Sequence, residues 1–139
     1  MTHTHVDDDP AMIVPNRVSG YSRDKNGWQL ASEAPGVVGN SGVYSTVRDL
    51  LRGEQNFADV RVGTPAQVAA MQTPTVLTGG GTSPYGFGLA IEDYRGARTI
   101  AHAGSDRGAS TNLVRYPDQK LAVAVLCNLD GRSIMCRRC

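Results

Sequence analysis

The sequence predicts an α+β fold, an antiparallel β-sheet meander with short helices. Sixteen Gly and seven Pro among 139 residues, with aromatics at only 6%, imply many turns and a core drawn from Val, Leu and Ala. From residue 85 onward the apolar pattern has the period of a strand, and the short connections there favour antiparallel pairing. Upstream, two segments carry helix start signals at helical apolar spacing.

Composition bounds the function classes. Lys and Arg number 14 against 13 Asp and Glu, so the net charge of +1 offers no single-sign field to draw nucleic acid or an anionic membrane. Apolar residues make up 40%, but no stretch nears the roughly 18 that a bilayer span needs, and the N-terminus lacks a basic-then-apolar signal pattern. A soluble globular chain is expected, with no nucleic-acid partner, no membrane span and no cofactor; the compartment stays open. The three cysteines, Cys127, Cys136 and Cys139, gather at one end in an odd number and outline no disulfide framework. Cys127 sits in an apolar run and is expected to be a small buried hydrophobe. Cys136-Arg137-Arg138-Cys139 is a lone CxxC without the second ligand pair zinc would want, so residues 131–139 are expected to form an unstructured tail.

Taken in order, residues 1–20 read as loop with at most one short strand. His3 and His5, near Asp7, Asp8 and Asp9, have a spacing that could hold a metal on one strand face, but the other ligands are not identifiable and no metal site is expected. Residues 21–42 are dominated by turn chemistry, at Asp24-Lys25-Asn26-Gly27, Pro35-Gly36 and Ser41-Gly42, and are expected to wrap a surface. The first helix starts at Ser45-Thr46, where Thr46 and Asp49 have cap-to-N3 spacing and Val47, Leu50 and Leu51 form an apolar stripe before Gly53. In the second, Thr64 stands at the cap, Pro65 at the first helical position and Gln67 at N3, with Val68 and Met71 facing inward and Thr73-Pro74 ending it. Thr78 to Pro84 reads as a flexible loop.

Four strands are then expected. Tyr85, Phe87, Leu89 and Ile91 alternate with Gly86, Gly88 and Ala90; Arg98 to His102 follows the turn Tyr94-Arg95-Gly96; Ala109 to Tyr116 and Leu121 to Cys127 flank Pro117-Asp118-Gln119. The last strand is apolar on both faces, which predicts a central position covered on both sides. Two short helices are too few to cover it.

The order of motifs resembles the later part of the serine β-lactamase and penicillin-binding-protein-like superfamily, in its class C and esterase branch. The matching pieces are Gly20-Tyr21, residues 39–50 (GNSGVYSTVRDL), Tyr85-Gly86-Phe87-Gly88, His102-Ala103-Gly104, and Tyr116-Pro117-Asp118 leading to Val123–Asn128. The resemblance implies a partial β-lactamase/transpeptidase-like fold over residues 1–130. It also implies that Met1 is an internal methionine of a longer frame, and that the sheet's covering helix would follow Asn128.

That superfamily works with a serine nucleophile in an SxxK motif at a helix start, a Tyr-x-Asn or similar motif, and a KTG or HxG triplet on a neighbouring strand. Only the triplet is matched here. Ser22-Arg23-Asp24-Lys25 fits SxxK in letters, but it runs into Asn26-Gly27, a turn, whereas the chemistry needs serine and lysine on one helix face. No Tyr-x-Asn and no GxSxG occurs. By the resemblance, His102 would be the catalytic-site residue that tunes protonation or holds substrate. Gly104 would allow close backbone approach, and the Ser105 N–H would help polarise the scissile carbonyl. The alternative for His102 is a strand-end histidine bonded to a loop carbonyl. Arg107 either holds a substrate carboxylate or is a solvated loop residue.

The resulting expectation is a piece of a β-lactamase-related serine hydrolase, acting by acyl transfer on amide, lactam or ester bonds of a small molecule or peptide once completed by upstream residues. Alone it is expected to be inactive. A non-catalytic remnant or binding module of the same fold is the competing reading.

Overall fold

The computed structural model describes residues 1–9, 11–31 and 38–130. In chain order the elements are β1 (His5–Val6), β2 (Gly20–Asp24), β3 (Gly27–Ala31), β4 (Val43–Tyr44), α1 (Val47–Glu54), a 3-10 turn (Gln55–Phe57), α2 (Pro65–Met71), β5 (Thr75–Val76), β6 (Thr82–Ser83), β7 (Ala90–Tyr94), β8 (Ala97–Asp106), β9 (Ala109–Tyr116) and β10 (Leu121–Cys127). The last four form one sheet in the order β10-β9-β8-β7, and β1-β4, β2-β3 and β5-β6 are two-stranded ladders. The α+β meander with short helices is therefore the observed architecture.

The turns explain the meander. Arg95 and Gly96 both take positive φ, 54° and 81°, so the two-residue connection twists with the strands it joins, and Asp93 Oδ1 accepts from Gly96 N at 2.8 Å. Gly108, at φ 73°, turns β8 into β9, and Lys120 N donates to Pro117 O at 3.1 Å before β10. Strands β9 and β10 coincide with their sequence-predicted spans.

Four expectations are corrected. Tyr85–Leu89 is not a strand, because Gly86 N donates to Leu89 O at 2.8 Å and Gly88 has φ 76°, folding the alternating stretch into a loop ahead of β7. The strand expected to end at His102 runs on to Asp106 as β8. Strand β10 lies at the sheet's edge rather than its centre, with Leu121, Val123 and Val125 exposed by 50%, 45% and 37%. Its double apolar character thus reflects surface left uncovered among the described residues. Cys127 is half-buried rather than fully buried. Two other segments gain structure. Residues 21–31, expected as surface turns, form the β2-β3 hairpin, and the Gly79-Gly80-Gly81 loop is closed by β5 and β6. Pro35-Gly36, Cys136 and Cys139 lie outside the described residues.

The chain divides into two compact units. The first comprises Met1–Leu50, Ala103–Asn112 and Val125–Cys139. Here Asp49 is wholly buried, accepting from His3 N at 2.7 Å and Thr4 Oγ1 at 3.0 Å, while Thr46 Oγ1 caps α1 by accepting from Asp49 N at 3.2 Å. The His3 N–H is the main reason that its carboxyl lies below the usual range. The Thr4 hydroxyl works the same way, against burial. Hairpin β2-β3 lies close over Gly108, where an added Cβ would come within 2.7 Å of Gly20 Cα and 2.8 Å of Ala31 Cβ. Tyr21 forms a parallel bridge with Leu129, and Ser110, itself buried, donates to Leu129 O at 2.9 Å.

The second unit comprises Leu51–His102 and Leu113–Ala124. Its helix α2 starts with a complete capping box, Thr64 Oγ1 accepting from Gln67 N and Gln67 Oε1 from Thr64 N. Val68 at 5% and Ile100 at 2% exposure are the buried hydrophobic residues among those described. In the same unit Arg115 of β9 pairs with Glu54 at 2.9 Å, covers the Phe57 ring at 3.9 Å and donates to Gln72 Oε1 at 3.0 Å. Burial pushes the Glu54 carboxyl up and the Arg115 guanidinium down, and each partner's charge opposes the shift of the other.

Candidate functional site

Strand β8 carries the candidate residues. Its register with β7 runs from Tyr94↔Ala97 to Ala90↔Ala101, so residues 102–106 continue past the start of β7. Where a strand outruns its neighbour, the backbone N–H and C=O groups on that side no longer pair with that neighbour. His102 is the first residue past that point, and it lies inside β8, which corrects its expected place at a strand end.

His102 is exposed, and its ring contact among the described residues is Tyr85, with centroids 6.5 Å apart and planes tilted by 58°. Tyr85 is held firmly for a loop residue. Its carbonyl accepts from Thr75 N at 3.1 Å and Thr75 Oγ1 at 2.7 Å, and it bridges to Ala90. The next residue, Gly86, has no room for a side chain, because a Cβ there would lie 2.3 Å from Met71 O.

Gly104 has no unusual φ and lies close against the Thr111 side chain. A Cβ at this position would approach Thr111 Oγ1 to 2.5 Å, and Thr111 Oγ1 donates to Gly104 O at 3.5 Å. Ser105 is exposed. Beyond it Asp106 Oδ1 accepts from Arg107 N at 2.7 Å, and Arg107 is a solvent-exposed turn residue. Consecutive positions on a strand alternate faces, so the His102 and Gly104 positions share one face and Ser105 takes the other.

Ser22, on β2, pairs with Gln29 of β3, and Lys25 lies in the turn after β2. On extended backbone, residues three apart point to opposite faces, so this pair does not have the helical geometry its letters would need. Among the described residues no group of three or more His, Cys, Asp or Glu is placed to hold a metal ion, and no helix is long and apolar enough to cross a membrane. Sequence reasoning missed three relationships: Tyr85 beside His102, Thr111 beneath Gly104, and Arg115 with Glu54. The one available signal was Arg115, a lone charge in the otherwise uncharged run Ala109–Tyr116.

The antiparallel sheet with its two short helices is the arrangement of part of the penicillin-binding-protein fold, as solved structures of that class show. The beta-lactamase family model matches residues 1–136, and the chain belongs to that family. It is 26% identical over 125 residues to the D-aminopeptidase of Brucella ovis and 25% identical over 114 residues to that of Brucella anthropi. These alignments take in 89% and 81% of this chain but 24% and 22% of the relatives, so the chain spans about a quarter of their length. Among solved structures, the octameric penicillin-binding protein homologue from Pyrococcus abyssi superimposes with a TM-score of 0.78 at 24% identity, covering 92% of this chain and 30% of its own. The penicillin-binding protein from Bacillus halodurans does so at 0.72 and 21% identity, covering 86% and 38%. Both likenesses concern the fold.

Proposed function

We propose that this chain supplies the HxG strand of a serine acyl-transfer site, with His102 facing the substrate and the Ser105 N–H as one oxyanion donor. In the complete reaction a serine hydroxyl adds to the carbonyl carbon of an amide, lactam or ester. The oxyanion then collapses with loss of the protonated leaving group, and water releases the acid and restores the serine. The substrate is a small molecule or a peptide, and the relatives named D-aminopeptidase support an amide bond next to a D-residue. The observation carrying the reading is the exposed His102 on the part of β8 that runs past β7, two residues before a glycine packed against Thr111. Ser22 and Lys25 lie on a strand and its turn rather than on one helix face, which supports a reading in which the nucleophile and its lysine come from residues outside this chain and the chain alone turns over no substrate.

The purified chain is therefore expected to leave a chromogenic β-lactam, a p-nitrophenyl ester and D-alanine p-nitroanilide unhydrolysed. Turnover that disappears in His102→Ala would overturn the assignment of the nucleophile elsewhere.

A non-catalytic module of the same fold is favoured by one observation, the exposed apolar residues of edge strand β10. On that reading the chain binds apolar-surface dyes and melts over a broad range; a sharp two-state melt without dye binding counts against it.

A further inference from the structure

We infer that Tyr85 is a positioning residue for His102, holding the imidazole against β8 in the orientation a substrate meets. The inference rests on the reading of His102 as substrate-facing and adds a residue to it. An exposed histidine on a strand ordinarily samples several rotamers, and a substrate that needs one of them loses affinity to the ordering. A neighbouring ring removes that cost if the ring is itself fixed. The backbone that carries the Tyr85 ring is fixed, on observations independent of the ring contact: the Thr75 N–H and hydroxyl both donate to its carbonyl, it bridges to Ala90, and Gly86 is closed down on Met71 O. The separation of 6.5 Å and tilt of 58° fall within the tilted arrangement that aromatic pairs favour over a flat stack. Tyr85 is 41% exposed, so its ring borders solvent on one side and His102 on another. The bare Gly86 and Gly88 around it are what let the loop carry Tyr85 up to β8.

The test uses the isotope-labelled full chain. His102 χ1 populations are read from three-bond couplings and its ring protons from their shifts. In wild type and in Tyr85→Phe, one rotamer dominates and the ring protons are displaced by ring current; in Tyr85→Leu the couplings average and the displacement is lost, while the Thr99 and Ile100 amides stay in place. An unmoved His102 in Tyr85→Leu overturns the proposal. Should that variant disturb Thr99 and Ile100, Thr75→Val decides instead: it removes one donor from the Tyr85 carbonyl, is expected to broaden the His102 rotamer distribution, and overturns the proposal if it does not.

Titration with acetyl-D-alanine amide, followed at the Ser105 amide, separates this proposal from the reading beneath it. Binding is expected to weaken by about two- to tenfold in Tyr85→Leu, the scale of an aromatic pair, and to recover in Tyr85→Phe. Loss of binding in His102→Ala with full binding in Tyr85→Leu overturns the positioning role alone. Full binding in His102→Ala, or no saturable shift in wild type, overturns the reading of His102 as substrate-facing, and the couplings still decide whether Tyr85 orders it.

Discussion

Replacing Arg115 by Met should destabilise the chain by about 3 kcal/mol at pH 7, with a loss that shrinks in acid. Arg115 and Glu54 sit 2.9 Å apart with side chains 11% and 10% exposed. Removing one member of such a pair strands the other charge, which costs about 3–5 kcal/mol when burial is complete, and the residual exposure argues for the lower end. The cation over Phe57 at 3.9 Å and the bond to Gln72 contribute on the order of 1 kcal/mol each, partly shared with the ion pair and partly offset by Met's own packing. The pH dependence follows from Glu54. Burial raises its carboxyl above the usual 4.5 and Arg115 opposes this, so the variant's Glu54 is raised further. A group with a raised folded pKa contributes stability that is fully present below its unfolded pKa and lost as pH rises through the folded one. The variant should therefore recover relative to wild type as the pH falls toward 4.5 and below, when Glu54 takes up a proton and is no longer a stranded charge. Urea unfolding followed by far-UV circular dichroism at pH 7 and pH 4 measures both quantities. An equal loss at the two pH values, or one below about 0.5 kcal/mol at pH 7, refutes the reasoning, since that is the scale of an exposed pair.

Gly108→Ala should cost about 2–4 kcal/mol, combining a left-handed φ of 73° with a Cβ forced against Gly20 and Ala31. Gly20→Ala, which meets the same backbone without a positive φ, should cost less, and thermal melts of the two variants give the order. Asp49→Asn should flatten the acid limb of the stability curve. The native carboxyl lies below its usual 3.8, so its contribution is present above the unfolded pKa and is lost as pH falls through the folded one, and acid titration of both proteins by circular dichroism reads the difference. Thr64→Ala removes half of the α2 capping box and should cost about 1 kcal/mol in urea unfolding, while Thr64→Ser keeps the hydroxyl and should cost little.

Local chemistry was legible wherever a residue and its partner are near in the chain. Thr64, Pro65 and Gln67 announced α2, and Arg95-Gly96 announced the β7-β8 turn, since each signal acts over three or four residues. The alternation at Tyr85–Leu89 misled because the period of two is also compatible with a glycine-rich loop, and the contact that bends it, Gly86 against Met71 O, lies outside any local window. The two apolar faces of β10 likewise imply cover without saying where the strand sits in the sheet order.

At the candidate site, His102, Gly104 and Ser105 were legible only through the resemblance of the motif order to a known family, and their roles stand as a proposal. Sequence by itself determined the fold class, the helix caps and two of the long strands to the residue, the caps and strands because they are written in short-range spacing. Tertiary structure alone decided that β8 runs past β7 at His102, that Thr111 lies against Gly104, that Tyr85 stands beside the imidazole, and that Arg115 reaches Glu54. Each of those depends on strand register or on packing between residues far apart in the chain, and a slip of one residue in register would send every side chain of the strand to the opposite face.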